Sequence, residues 1–401
     1  MPSDRLPPSQ QTAEQSRSLA AYVADELYPF SQDARQRLER AGLGRRGVRR
    51  PEDLARVSPV SRPELGTGEG AVLRPSAAAL DQCALRWRWQ WASSTGRAAR
   101  FIQEVVDPKY RTIRFLDQDG LLVGSTAADL DKLADLGRRS LVVAGVREGD
   151  AVVAFAPSVP DLAFWQLTLG CRDAGVPLAH VAVGSDPASL LALEPTVVAG
   201  PADALAGLLD AATQAGHELA GVRLMVVLGQ RPGGEDRLRR REQFPTVKVS
   251  CGWAPPGVRA LWFECAEQGE LHTWPDAEVL QSGTDRELVW SPLGWRGTAI
   301  LRLRTGLRGR VLTDPCPGCG RTTPRLEATA DPAYAAALEA HPLVVGWYVE
   351  RSEHDGDQPV LHVAPASRRM AGRVLHDLGQ QLAGVQVVVT SPAALARHAA
   401  N

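Results

Sequence analysis

Four side chains that bind soft metal ions fall into two groups in the second half of the sequence, and they constrain the fold more than any other feature. Cys265 and His272 form one group; Cys316 and Cys319, separated by a proline and a glycine, form the other. Two thiolates one tight turn apart, joined by a second pair from elsewhere, make a closed Cys3His site of the structural kind. Proline and glycine suit the turn that directs both sulfurs at one ion. The sequence therefore predicts a structural zinc ion that ties the two segments together.

Two other interpretations of these residues are weaker. Cys316 and Cys319 could be buried thiols without a metal, with His272 on an unrelated surface. A redox pair has the same C-x-x-C spacing, but such a motif is expected at the start of a helix that follows a strand. The residues around Cys316 are instead rich in turn formers, and a cysteine and a histidine precede them. We therefore favour the zinc site.

The composition bounds the class of protein and its partners. The chain has 401 residues, a net charge of -1 and six cysteines. A charge near zero gives no electrostatic case for nucleic acid or an anionic membrane surface as a partner. The sequence has no run of eighteen apolar residues and no basic start followed by an apolar stretch, so we expect a cytoplasmic protein without a membrane partner. Cys83 and Cys171 are interpreted as small buried hydrophobes.

The order of apolar runs and helical patterns predicts an α/β protein with three regions. Residues 1–18 are rich in Pro, Gln and Ser and are predicted to be a disordered tail. Residues 19–328 should form a large domain, because strands alternate with helices as in parallel βαβ units. Residues 329–401 should form a small α+β ferredoxin-like domain in the order β-β-α-β. Predicted strands lie at 149–155, 177–183, 196–200, 222–228, 344–350, 360–363 and 385–390, and predicted helices at 129–136, 161–174, 202–216 and 368–382.

Residues 84–91 alternate tryptophan with arginine or glutamine. A period of two predicts a strand, with Trp87, Trp89 and Trp91 on the core and the arginines outside. Interleaved aromatic and basic residues also suit single-stranded nucleic acid, which is the less favoured interpretation. The predicted strand leads directly into a loop of small residues that ends at Gly96 and Arg97.

Several motifs occur together in an order that resembles a known family. They are Gly149-Asp150, the strand 196–200, Gly252-Trp253, Cys265 with His272, the run 301–306 that ends in Arg304-Thr-Gly, and Cys316-x-x-Cys319-Gly-Arg321. This order is similar to that of the phenylacetate-coenzyme A ligase branch of the adenylate-forming enzymes, over residues 25–327. The resemblance implies binding of ATP and a carboxylic acid, formation of an acyl-adenylate, and transfer of the acyl group to a thiol. It also implies a zinc ion near the end of the large domain, which matches the four ligands.

The resemblance assigns binding residues but no catalytic residue. Arg304 falls in the nucleotide motif and Trp253 near the acyl pocket, while the phosphate loop falls on Ser93, Ser94, Thr95, Gly96 and Arg97. The loop is shorter than in the family and has lost a glycine, which weakens a cradle of backbone N–H groups.

The other departures also fall on the chemistry. Ala254 and Pro255 replace the family's Thr-Glu pair, whose carboxylate helps to hold magnesium. Leu307 replaces the carboxylate that grips the ribose hydroxyls. The sequence has no lysine after Lys248, whereas the family carries a catalytic lysine on its small domain.

These losses argue against ATP and magnesium as ligands. The sequence thus predicts a divergent homologue of the ligases that acts on a carboxylic acid or an activated acyl group with a lost or altered ATP site. Its expected partners are a small-molecule acid or acyl donor and either coenzyme A or an acyl carrier, and a homodimer is compatible with the sequence. The alternatives are an inactive scaffold or ligand-binding protein of the same fold, and a working acyl-CoA ligase. A zinc-ribbon nucleic-acid binder is least favoured, given the charge balance.

Overall fold

The computed structural model describes most of the chain and divides it into two compact units; among the described residues the second unit begins at Thr329. No helix among the described residues is long and apolar enough to cross a membrane. The described residues are 6–66, 68–81, 83, 85–118, 120–157, 159–182, 185, 192–201, 204–205, 207–208, 221–229, 247–265, 270–283, 286–329, 338, 341, 343–350, 360–365, 367–382 and 386–391.

A helical layer opens the larger unit. Its first helix, α1, continues through a π-helical turn at Val23–Leu27 into α2, and the Ser31 hydroxyl caps α3 by accepting from the Ala34 N–H. Buried residues of this layer pack against the later segment 279–301, which makes a separate core cluster. The helices are α1 (Pro8–Tyr22), α2 (Tyr28–Phe30), α3 (Gln32–Arg40), α4 (Arg62–Leu65), α5 (Ala77–Leu80), α6 (Arg86–Ser94), α7 (Ala98–Phe101) and α8 (Asp107–Tyr110), with 3-10 turns at Pro51–Arg56 and Glu69–Ala71 and a second π-helical turn at Ile102–Val106.

The sequence predicts a disordered tail over residues 1–18, whereas residues 8–18 belong to helix α1. The helix begins at Pro8, and a proline at this position costs no hydrogen bond, because the first N–H groups of a helix have no partner within it. Gln11 donates to the Thr322 hydroxyl, and Gln15 donates to the backbone oxygen of Glu278. These contacts to distant residues hold a polar segment whose composition alone indicates disorder.

A broad sheet of eleven described strands forms the centre of the larger unit, and a separate hairpin of β1 and β2 precedes it. The spatial order in the broad sheet is β10-β11-β12-β13-β9-β8-β7-β6-β5-β3-β4. The strands are β1 (Thr112–Gln118), β2 (Leu121–Thr126), β3 (Val152–Ala156), β4 (Leu178–Ala182), β5 (Val197–Gly200), β6 (Leu224–Leu228), β7 (Lys248–Trp253), β8 (Trp262–Glu264), β9 (Leu271–His272), β10 (Glu278–Ser282), β11 (Glu287–Pro292), β12 (Leu303–Leu312) and β13 (Arg325–Thr329).

The sheet changes character at β7. Strands β4, β3, β5, β6 and β7 are parallel neighbours, whereas β7/β8, β8/β9 and β9/β13 pair antiparallel. The parallel strands predicted from apolar runs are confirmed, and so are two helices, α9 (Ala127–Ala144) and α10 (Leu162–Ala174). Most of the helix predicted at 202–216 lies outside the described residues.

Helices α9 and α10 pack closely because two glycines meet at their crossing. A Cβ atom on Gly137 would lie 2.3 Å from the Gln166 carbonyl oxygen, and one on Gly170 would lie 2.4 Å from the Gly137 carbonyl carbon. Both distances are well inside van der Waals contact, so no larger residue fits without moving a backbone. This approach fixes the two helices that cover the parallel half of the sheet.

Asp129 joins the start of α9 to a distant loop. Its buried carboxylate accepts from the N–H groups of Thr126, Arg296 and Gly297 at 3.0, 2.8 and 2.7 Å. The buried guanidinium of Arg259 lies 3.4 Å from the same carboxylate, so the charge is paired as well as hydrogen bonded. The carboxylate stabilises the contact between α9 and this loop only while its partners are present, because a buried charge that loses its partner destabilises the fold.

The prediction of a strand over residues 84–91 is wrong. Residues 86–94 form α6, in which Trp89 is buried against Phe101 with ring centroids 6.0 Å apart. Trp87 and Trp91 lie four residues apart on the helix and are 73% and 58% exposed. Three tryptophans spaced by two are too short a pattern to exclude a helix, and the core here takes only one of them.

Among its described residues, the smaller unit contains three strands and one helix in the order β-β-α-β. Its strands are β14 (Val344–Glu350), β15 (Val360–Pro365) and β16 (Gln386–Val389), and its helix α11 (Ala371–Gln381) follows a 3-10 turn at Arg368–Met370. β14 pairs antiparallel with β15, and β15 pairs parallel with β16. Apolar residues of the strands and of α11 form a core of their own.

Candidate functional site

The predicted metal ligands come together at the antiparallel half of the sheet. Cys265 directly follows β8, and His272 ends β9, so the pairing of these two strands brings both to one place. Cys316 and Cys319 lie in the turn between β12 and β13. The four ligand atoms all lie within 4.8 Å of one another. The prediction that these side chains share one site is confirmed in its geometry.

The spacing of the ligand atoms fits a tetrahedral zinc ion. The Cys265 and Cys316 sulfurs are 3.8 Å apart, and the Cys319 sulfur is 3.4 Å from His272 Nε2. Tetrahedral bonds of about 2.3 Å to sulfur and 2.1 Å to nitrogen require edges of about 3.8 Å and 3.6 Å. Cys265, His272 and Cys316 are buried and Cys319 is partly exposed, as suits a closed structural site. Zinc bound here would supply folding energy rather than a catalytic centre, because all four positions are taken by protein.

The groups around the quartet orient its members. His272 Nδ1 lies 3.2 Å from the buried Thr323 hydroxyl, which leaves Nε2 directed at the sulfurs. The Cys316 N–H donates to the Arg321 carbonyl and the Gly320 N–H donates to the Cys316 carbonyl, both at 2.8 Å. Gly320 is in the left-handed region with φ of 69°, so the glycine that the turn requires follows the second cysteine rather than preceding it.

The electrostatics of the site favour a thiolate. Hydrogen bonds from Cys265, His272 and Arg321 hold the pKa of the Cys319 thiol well below its usual range. A deprotonated sulfur is the form that binds a metal ion. Buried Arg325, on the strand next to His272, pairs with Glu270 and Asp314 at 3.2 and 3.0 Å, so its positive charge is compensated beside the site.

The carboxyl ends of the parallel strands are where ligands usually bind in α/β sheets. Here the first residues after β3, β5, β6 and β7 are Pro157, Pro201, Gly229 and Ala254. None of the four carries a polar side chain that could bind phosphate or a metal ion. The neighbouring Pro255 is buried. The described residues directly after these four strands thus supply packing and turns.

The predicted phosphate loop lies in an exposed turn between α6 and α7. Ser93 and Ser94 end α6, and Gly96 is in the left-handed region with φ of 70°. The N–H groups of residues 95, 96 and 97 donate to the carbonyls of residues 91, 93 and 92, which closes the helix end. The Arg97 guanidinium lies over the Trp91 ring, 5.2 Å from its centroid. Those backbone donors are therefore already used, whereas a phosphate cradle needs them free.

The other two predicted binding residues also make structural contacts. Trp253 is 6% exposed at the end of β7, and its ring meets that of Trp262 edge-on at 6.0 Å. Arg304 on β12 forms an ion pair with Glu287 of the neighbouring β11. Leu307, which stands at the expected ribose position, is buried in the main core. Their assignments to substrate and nucleotide stay predictions.

One buried carboxylate escaped the sequence argument. Glu278 accepts from the indole N–H groups of Trp262 and Trp290 and from the Trp274 N–H, at 2.7 to 3.1 Å. Burial raises its pKa to about 7 in spite of these hydrogen bonds. A glutamate among tryptophans in a segment of mixed polarity is a weak signal, and the contacts depend on strand pairing that the sequence does not specify.

Comparison with known proteins places the fold in a class. No protein-family model and no curated relative matches the sequence. Among solved structures, the chain is similar to 2-hydroxyisobutyryl-CoA ligase in its postadenylation state, with a TM-score of 0.66 over 97% of this chain and 88% of that chain at 15% identity. The open conformation of that ligase with 2-HIB-AMP and CoA gives 0.64 over 97% and 90% at 16% identity.

A weaker match is o-succinylbenzoate coenzyme A synthetase from Bacillus subtilis in complex with AMP, with a TM-score of 0.49 over 71% of this chain and 66% of that chain at 13% identity. The 2-hydroxyisobutyryl-CoA ligase matches cover nearly the whole chain. These matches show that the protein has the fold of 2-hydroxyisobutyryl-CoA ligase, which does not by itself assign an activity.

Proposed function

We propose that this protein is a zinc-stabilised relative of the phenylacetate-coenzyme A ligase branch that binds a ligand or partner without forming acyl-adenylates. The observation that carries the proposal is the strand edge, where Pro157, Pro201, Gly229 and Ala254 follow the parallel strands. Adenylation needs groups that hold magnesium and stabilise charge on the phosphates as it develops. The described residues directly after these four strands supply neither.

Three further contacts support the same proposal. The backbone donors of the turn at residues 95–97 close a helix, Arg304 pairs with Glu287, and Leu307 is buried. A magnesium ligand, a ribose acceptor and a free phosphate cradle are each worth up to a few kcal/mol to binding or to the transition state. The combined loss is too large for ATP-driven turnover at a useful rate.

The ligand class follows from the fold neighbours. The 2-hydroxyisobutyryl-CoA ligase structures hold an acyl-adenylate or coenzyme A. We propose a carboxylic acid or an activated acyl group as the class to test for this chain, with coenzyme A or an acyl carrier as the acceptor if transfer occurs. The zinc ion at Cys265, His272, Cys316 and Cys319 has a structural role in this proposal.

Titration calorimetry with ATP and magnesium tests the proposal on the full chain with its metal bound. We expect a dissociation constant no tighter than about 1 mM. Pyrophosphate release with a panel of alkyl and aryl acids should not exceed the level without acid. Micromolar ATP affinity, or acid-dependent pyrophosphate release abolished by Arg97→Ala, would overturn the proposal and identify a working ligase.

A further inference from the structure

Two tryptophans stand out from the surface of the larger unit. Trp87 and Trp91 are 73% and 58% exposed, whereas the core tryptophans Trp262, Trp274 and Trp290 are at most 1% exposed. They lie four residues apart on α6 and therefore on one face of that helix. Large exposed indoles that share one face indicate a contact surface rather than incidental exposure.

The charged residues in the segment that carries these rings have one sign. Residues 82–103 contain four arginines and no acidic residue, and Asp81 and Glu104 are the nearest acids along the chain. Arg100 pairs with Glu104 at 2.8 Å. The remaining three arginines, Arg86, Arg88 and Arg97, are exposed and have no ion-pair partner among the described residues. The net charge of -1 averages over the whole surface and conceals this local cationic patch.

We propose that this surface, formed by α6 and α7 around Trp87 and Trp91, docks on a bilayer that contains anionic phospholipid. Indole rings prefer the level of the lipid headgroups, where an apolar body and a polar N–H are both accommodated. Arginines beside them meet lipid phosphates, and the absence of acids in the segment avoids repulsion. The docking is peripheral and requires no spanning helix.

The stacking of the arginines favours lipid over single-stranded nucleic acid. Arg86 lies over the Trp87 ring at 4.7 Å and Arg97 lies over the Trp91 ring at 5.2 Å. Each guanidinium covers one face of an indole, and nucleic-acid bases bind by stacking on such faces. A layer of lipid headgroups contacts the edge of each indole ring and its guanidinium at the same time. Lipid therefore binds without separating the stacked arginine and tryptophan.

Sedimentation with vesicles tests the proposal on the full chain. Vesicles of phosphatidylcholine with phosphatidylglycerol as the minor component should bind the protein, and binding should weaken as salt is added. Vesicles of phosphatidylcholine alone should bind much less. Replacing two arginines, Arg86→Gln with Arg97→Gln, should weaken binding about 25-fold, since each arginine contributes about fivefold near an anionic surface. The matched control, Arg46→Gln with Arg49→Gln, removes two exposed arginines elsewhere and should leave binding unchanged.

The aromatic contribution is tested separately. Trp87→Ser with Trp91→Ser should weaken binding about tenfold or more, while Val159→Ser, at a residue that is 75% exposed, should have no effect. Iodide should quench the fluorescence of the wild type, and anionic vesicles should protect it from quenching. Equal binding by the tryptophan variant and the wild type would overturn the proposal. So would tight binding of an oligouridylate that depends on the same tryptophans while vesicles fail to bind.

Discussion

The metal corner, formed by Cys265, His272, Cys316 and Cys319, and the carboxyl edge of the parallel strands are two parts of one sheet. They differ in the kinds of residue that they present. At the metal corner all four ligands are present, three of them are buried, and His272 is oriented by the neighbouring Thr323. At the strand edge the first described residues after β3, β5, β6 and β7 are proline, glycine and alanine. If the proposed function is correct, the contrast teaches that the groups which stabilise a fold and the groups which perform its chemistry are separable. The following predictions test that separation, from the largest expected effect to the smallest.

The metal corner should carry the largest effect. Purified protein is expected to contain one zinc ion per chain, and Cys319→Ser should lower the free energy of unfolding by about 4 kcal/mol or more, because binding energy at such a site is folding energy. Elemental analysis and urea unfolding measure the two quantities.

The control for this change is Cys171→Ala, which alters a buried thiol outside the quartet. It should cost about 1 kcal/mol and leave the zinc content unchanged. Less than half an equivalent of zinc per chain in the wild type would contradict the prediction that the four ligands hold a structural zinc ion.

The carboxylate of Asp129 should show the next largest effect. Asp129→Ala leaves the buried Arg259 without its partner and removes the acceptor for the Gly297 N–H, so we expect a loss of 3–5 kcal/mol, roughly that of breaking a buried ion pair. Thermal unfolding measures it. Asp135→Ala, at a half-exposed carboxylate that pairs with Arg138, should cost less than about 1 kcal/mol. Similar losses for both would contradict a structural role for Asp129.

Glu278 makes stability depend on pH. Its pKa is about 7 in the folded protein against 4.5 for an ordinary glutamate, so between these values the folded state holds a proton that the unfolded state has lost. Stability from this group is therefore full below pH 4.5 and is lost as pH rises to about 7, by about 3 kcal/mol in total. The difference in unfolding free energy between wild type and Glu278→Gln should change with that sign across this range. A constant difference would show that the carboxylate is ionised throughout.

The smallest effect should come from Arg304, in the motif that the family resemblance assigns to the nucleotide. Arg304→Ala removes an ion pair with Glu287 in which the arginine is 46% exposed, so the loss of stability should stay below about 1 kcal/mol. ATP binding, measured by calorimetry, should be as weak for the variant as for the wild type. A marked drop in ATP affinity would show that Arg304 binds the nucleotide and would contradict the proposal that the ATP site is lost.

The sequence predicts best what depends on local chemistry. The spacing of Cys316 and Cys319 predicts a tight turn. A second Cys/His pair completes four ligands, so the pattern indicates a site for one metal ion. The parallel strands β3, β5 and β6 are short apolar runs rich in valine, and residues buried on both faces produce that pattern.

What the sequence does not predict depends on distant partners. Residues 86–94 contain an alternating pattern, but the core accepts only Trp89, and the segment is a helix. The strand β10 contains Glu278, whose carboxylate accepts from the indoles of Trp262 on β8 and Trp290 on β11 and from the Trp274 N–H of the preceding turn. Such arrangements follow from tertiary packing, which local periodicity does not contain.

The chain order of the metal ligands has a consequence for synthesis. Strand β7 ends the parallel half at Trp253, before any ligand has left the ribosome, and Cys319 appears only after β12. The strand β9 pairs with β13, which is made last of the sheet's strands. A nascent chain thus completes its parallel half first and carries an unpaired edge at β9 until the metal corner can close, and this interval is when it is most exposed to aggregation.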